Sequence, residues 1–194
     1  GASEKSIGIL QSVKVGPTIA DDIKKNAFLA ILGSLAVVFL YILLRFRKWQ
    51  FSLGAVAAVF HDVLIVLAIF SIFYGIMPFS LEIDQAFIAA ILTIIGYSLN
   101  DTVVVFDRIR ENIFKRVGFD FQDTIKQALR QTWFRSLSTS LTTLVVLLSI
   151  YLFGGDTLKD FSFMLMIGIV VGTFSSLFLA PTLLLMWRKE MLRA

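Results

Sequence analysis

Apolar residues fall into five long runs, Ala27 to Leu44, Phe51 to Phe79, Ala86 to Phe106, Ser136 to Phe153 and Phe161 to Trp187, separated by polar connections that are short except for 107–135. A helix needs about 20 mostly apolar residues to cross about 30 Å of hydrocarbon, so every run can span a bilayer, the second and last with length to spare for tilt. The pattern predicts an all-α polytopic membrane protein with five transmembrane helices over 27–190. Composition agrees: of 194 residues, 57% are hydrophobic and 16% charged, whereas a soluble domain covers its surface with roughly 25% charged residues.

Positive charge orders the connections. Thirteen of the 18 Lys and Arg residues fall in 45–48, 107–135 and after Trp187, and five in the alternate segments. The basic side is expected to be cytoplasmic, which puts the C-terminus inside and the N-terminal segment outside. Nothing before Ala27 is apolar enough to have carried that segment across, and Gly1-Ala2-Ser3 has the look of a cloning scar. The expectation is a piece of a longer membrane protein, with residues 1–26 the end of an external domain and its junction, Ile7 to Val15 a weakly alternating strand candidate, and 191–194 a cytoplasmic tail. The net charge of +4 lies in short loops on one face, so anionic lipid rather than nucleic acid is the expected partner.

The long connection 107–135 reads as an extension of the third span with Glu111 and Lys115 at i, i+4, a stop at Gly118, and a second helix capped by Asp120. Phe121, Ile125, Leu129 and Trp133 recur every four residues there, opposite Gln122, Lys126 and Arg130. This predicts an amphipathic helix lying along the membrane surface before the fourth span begins, serving as a plain connector or as a docking surface or lever.

Within the spans, polar residues stand in three places. A charge at the centre of a membrane helix costs about 2.5–3.5 kcal/mol on insertion scales, so each needs a partner or a function. His61-Asp62 lies near the middle of the second span, open to two readings: a neutral His bonded to a neighbouring helix with Asp62 capped by Ser or Thr, or a role in proton movement. Asn100-Asp101 lies in the third span, with Tyr97, Ser98 and Arg108 sharing the Asp101 face, which is therefore wet or partnered. Arg135 opens the fourth span, and Ser138, Thr139, Thr142 and Thr143 share its face. Such hydroxyls serve helix packing as readily as a pathway. Asp101 and Arg135 sit at similar depth on helices of opposite direction, close enough for a long Arg side chain to bridge them as a titratable pair. Moving an Arg past a buried Asp switches the acid between holding and releasing a proton. In the last span, Gly168, Gly172, Ser175, Ser176 and Ala180 form a small-residue ridge for close packing, inside the bundle or against a partner half.

The string Gly96-Tyr-Ser-Leu-Asn-Asp-Thr-Val-Val-Val-Phe-Asp-Arg-Ile-Arg-Glu-Asn112 resembles the signature of the SecF family, the smaller half of the SecD–SecF protein-export accessory complex. Val15-Gly16-Pro17-Thr18, Tyr41 to Phe46, His61-Asp62, Arg135-Ser136 with its Ser/Thr run, and Gly168 to Ser176 are similar to it as well. Where the family often has Gly and Glu after Gly-Pro, this chain has Ala20, Asp21 and Asp22. The resemblance implies five spans of a six-span half bundle of the RND superfamily, in a bacterial inner membrane, without catalysis. It also implies that inward proton flow assists preprotein export after the SecYEG channel, with SecD as the partner half. It implies a proton pathway through Asp101 and Arg135, lined by Asn100, Ser138, Thr139 and Thr142.

Two other classes compete: a proton-coupled RND-type small-molecule exporter and an intramembrane hydrolase. The specific third-span string speaks against the first. Against the second, the sequence has no Gly-x-Ser-x-Gly and no His-Glu-x-x-His. Without cysteine and with one His, disulfides, thiolate metal sites and sites needing two imidazoles are excluded, and no metal or cofactor is implied.

Overall fold

A computed structural model of the chain describes residues 17–73, 76, 85–115 and 120–187. The strand candidate at 7–15, the scar at 1–3, the end of the second apolar run, the stop at Gly118 and the tail 191–194 lie outside the described residues. The helices are α1 (Pro17–Phe46), α2 (Trp49–Phe73), α3 (Gln85–Lys115), α4 (Phe121–Phe153), α5 (Asp156–Phe174) and α6 (Ala180–Met186), with a π-helical turn, Ser175–Leu179, joining the last two. Five stretches are long and apolar enough to cross a membrane: Lys25–Phe46, Trp49–Phe73, Gln85–Lys115, Phe121–Phe153 and Leu158–Met186.

Local chemistry accounts for the helix ends. Pro17 opens α1, where its missing N–H is harmless. The α1–α2 turn is closed by Arg47 at φ 55, whose N–H bonds the Leu43 carbonyl at 2.8 Å in place of the usual terminal Gly. The π turn has its cause in Pro181: the ring removes an N–H and crowds the carbonyl four residues back, so the helix widens and the Ala180 N–H reaches the Ser175 carbonyl.

The fourth span corrects the sequence expectation. There is no separate surface helix before it; α4 is continuous from Phe121 to Phe153. That stretch contains neither Gly nor Pro, and its buried face, Phe121, Thr124, Ile125, Ala128, Thr132, Ser136 and Ser140, runs on without a phase break. The amphipathic stripe is half right: Phe121 and Ile125 are buried, whereas Trp133 is exposed. Asp120 precedes the helix as expected, but it accepts the Thr124 N–H through its carbonyl and makes no side-chain cap.

α3 is the axis of the bundle and packs on each of the other four spans. Its contact with the last span is parallel and in register: Gly168 faces Ile94, Gly172 faces Ser98, and Ser176 bonds Thr102 at 2.8 Å. The small-residue ridge therefore packs inside the bundle. At the basic end Phe46, Phe51 and Phe106 interlock, with ring centroids 5.0 and 5.2 Å apart along the series. Arg45 pairs with Asp107 at 2.9 Å, and Trp49 meets Trp187 at 5.7 Å. These contacts bring residues 45–49, 107 and 187 to one end, as the charge count requires. The outward surface is apolar, with Leu44, Phe134 and Phe153 at least three-quarters exposed, which is the pattern of a lipid-facing surface.

A Cβ at Gly168 would lie 2.3 Å from atoms of the buried Ile94, whereas one at Gly33 meets nothing within 4 Å. Gly168→Ala is expected to destabilise the bundle by about 1–3 kcal/mol, and Gly33→Ala to leave it unchanged or firmer. Thermal unfolding in detergent checks both, and a Gly168→Ala protein melting with the parent would refute the packing argument.

Candidate functional site

Hydrocarbon offers no water to a buried polar group, so such groups must find each other. Along α3 the result is a polar seam. Asp62, from the middle of α2, has no exposed surface. Its Oδ2 accepts the Ser98 hydroxyl of α3 at 2.6 Å and the Ser175 hydroxyl of the π turn at 2.7 Å. Its Oδ1 lies 3.3 Å from His61 Nδ1. Asp62 is thus capped by serines, as one of the two readings held, while the half-exposed His61 ring turns to Asp62 and not to another helix. Ser176 extends the seam by donating to the Ser98 carbonyl at 3.1 Å, besides its bond with Thr102.

Asp101 faces the other way, towards α4, and is only 5% exposed. Ser136 donates to its Oδ1 at 3.1 Å, and its Oδ2 has no hydrogen-bond partner. The expected Asp101–Arg135 bridge is not formed. Arg135 is exposed and lines a polar cavity of about 180 Å³ with Arg45, Asp107, Arg108, Glu111 and Thr132. The reason is helical phase, since Ser136, the next residue, points at α3 and takes the carboxylate, leaving Arg135 about 100° away. The lining reaches Thr132, one helical turn from Ser136 on the same buried face of α4, and stops short of Asp101 itself. At its basic end Arg108 and Lys115 both bind Glu111, at 2.7 and 2.5 Å, and Asn112 reaches Gln131 at 3.1 Å.

The remaining predicted residues lie on the outer side of the seam. Asn100, Thr139 and Thr142 are exposed and Ser138 is half-buried. Thr139 and Thr142 donate to the carbonyls of Arg135 and Ser138, one turn back. Thr143 does the same with Thr139 and also meets the Tyr97 hydroxyl at 3.2 Å. Besides Thr143, the α4 hydroxyls that cross between helices are Ser136, on Asp101, and Ser140, 2.6 Å from Thr173. Their spacing from Thr132 by four and eight residues is the signal that finds them, once α4 is read as one helix. Ser175 as an Asp62 partner has no such signal except Pro181, which shifts the helical phase locally.

Residues 2–190 match the family model "Protein export membrane protein SecD/SecF, C-terminal". A protein translocase subunit SecF of Rhodothermus marinus is 56% identical over 174 residues, covering 89% of this chain and 56% of that protein. A SecDF subunit of Thermus thermophilus is 39% identical over 189 residues, 97% of this chain and 25% of that one. The crystal structure of SecDF from the same organism, described as a translocon-associated membrane protein, superposes with a TM-score of 0.80 at 39% identity, over 90% of this chain and 23% of that chain. The chain belongs to the SecD/SecF C-terminal family of protein-export membrane proteins. It is a multi-pass membrane protein, and it spans about half the length of the Rhodothermus marinus SecF.

Ser136→Ala leaves both Asp101 oxygens without a partner and is expected to cost about 1–3 kcal/mol. Thr139→Ala removes only a bond to its own helix and should stay within about 0.5 kcal/mol. Equal losses on unfolding would show that the Ser136 bond has no special weight.

Proposed function

We propose that the chain is the membrane half of a SecF-type subunit that uses inward proton movement to assist preprotein export after the SecYEG channel, with a SecD half as its partner in a bacterial inner membrane. In this reading the basic end is cytoplasmic and residues 1–26 join the bundle to an external domain. Asp101 is the proton-binding group. Arg135 is the cation that controls it, and Asn100, Ser138, Thr139 and Thr142 line the approach.

The observation that carries the reading is the buried Asp101 Oδ2 with no partner, about one helical turn from Val104 and Thr132 in the lining of a polar cavity at the basic end. Every other carboxylate oxygen in the seam is engaged. A spare lone pair inside a membrane span, within a helical turn of a polar opening, is what a proton acceptor requires. Arg135 supports the role by its place: among the described residues no carboxylate is within ion-pair distance of it, so it is free to approach Asp101 or a carboxylate of a second half. The outward polar stripe of Asn100, Thr139 and Thr142 is poorly suited to lipid and well suited to a pseudo-symmetric partner, and the SecDF relatives carry SecD and SecF in one name. A membrane potential of 100 mV supplies about 2.3 kcal/mol per charge moved, enough to bias such a two-state helix arrangement in each cycle.

Asp101→Asn keeps shape and polarity while removing the titratable group. In vesicles with the complete complex and translocon it should abolish the proton-gradient-dependent part of preprotein export, with insertion and folding intact. Undiminished stimulation would take Asp101 out of the mechanism.

A further inference from the structure

Asp62 is the most enclosed carboxylate among the described residues, and the pathway through Asp101 and Arg135 does not use it. It lies about 20 Å along α2 from Trp49 by helix rise, and it ties three elements together: α2, α3 through Ser98, and the π turn through Ser175. A π turn holds one residue more than an α-helix of the same height, an arrangement found frequently at functional sites. Here it is followed by the short α6, whose end places Trp187 against Trp49. The carboxylate therefore sits at one end of a short mechanical chain that reaches the basic end of the bundle.

We propose that Asp62 is a proton-operated latch on the π turn: the charged carboxylate holds Ser175, and its neutralisation through His61 lets the turn change register and moves α6 with Trp187 relative to Trp49. This rests on the reading of the bundle as proton-driven. The step is a simple transfer in which the N–H bond at Nδ1 of the imidazolium breaks and an O–H bond forms on Asp62 Oδ1, leaving a neutral ring and a neutral acid. His61 is placed for it, being 39% exposed and 3.3 Å from Oδ1. Bonds to a charged carboxylate are roughly twice as strong as those to a neutral acid, so neutralisation loosens both serines. Ser175 has a second acceptor waiting, the Gly172 carbonyl at 3.1 Å.

The surroundings leave His61 in control. From α3 the groups facing Asp62 are Ser98 and, further round, Thr102, while Asp101 is turned to Ser136. From the last span they are Ser175, Ser176 and the Gly172 carbonyl. α1 carries no charged side chain between Lys25 and Arg45. Among the described residues, His61 is the ionisable side chain within ion-pair distance of Asp62.

The test uses the intact complex with its partner half in a bilayer. This chain has no cysteine, so nitroxides at Leu53→Cys and Met186→Cys, both exposed, report the separation of α2 from α6. In the native background, acidification should convert one separation into another, changing the population ratio at least fivefold. Asp62→Asn should give the acid separation at every pH, and so should Ser175→Ala, which removes the held hydroxyl without touching the carboxylate. A pH-dependent shift that survives Asp62→Asn, or a Ser175→Ala protein that keeps the native response, overturns the latch; the second decides the matter should Asp62→Asn fail to fold. Asp101→Asn separates the two ideas. If it abolishes proton-dependent export while Asp62→Asn leaves the separations native, the export reading stands and the latch falls; if export is indifferent to Asp101→Asn while the separations still follow Asp62, the reverse holds.

Discussion

A carboxylate inside hydrocarbon must take its hydrogen bonds from protein, because lipid supplies none and each unmet bond costs kilocalories. Much of the interior of this bundle follows from that constraint. Asp62 and Asp101 are reached by hydroxyls from neighbouring spans, and those hydroxyls can arrive only if the helices approach closely. Gly168 and Gly172 allow that approach on one side of α3. Small side chains therefore occupy the seam and large ones face the lipid, the inverse of a soluble helical protein.

The two carboxylates are treated differently. Asp62 is saturated by two serines and a histidine, whereas Asp101 keeps one oxygen unengaged within a helical turn of a polar cavity. A saturated group holds elements in place; an open one can accept something. The proposed assignment of proton binding to Asp101 and of latching to Asp62 rests on this difference in coordination. Arg135, at the wall of that cavity, stands one helical step away from the serine that holds Asp101, so a modest rotation of α4 exchanges the two.

The five spans, their common basic end, the interior place of Asp62 and Asp101 and the Gly168–Gly172 ridge were all legible in the sequence, because each depends on hydropathy, charge count or small-residue spacing. The continuity of α4 was not. Polar residues before Ser136 suggested a surface helix, yet no Gly or Pro interrupts 121–153, and the buried face continues straight through. That one assumption also hid Ser136 and Ser140 and drew attention to Ser138, Thr139 and Thr142, whose hydroxyls largely serve their own backbone. The partnership of Asp62 with Ser175 was hidden for another reason: a π turn shifts phase locally, so a regular 3.6-residue wheel misplaces the side chains around it.

Proton flux through the complete complex in sealed vesicles, native against Asp101→Asn, tests the central claim most directly, since it reads the open carboxylate without depending on a substrate protein. Flux that disappears with the amide is the predicted result. Flux that continues unchanged through Asp101→Asn would contradict the account and place the conducting group elsewhere in the seam.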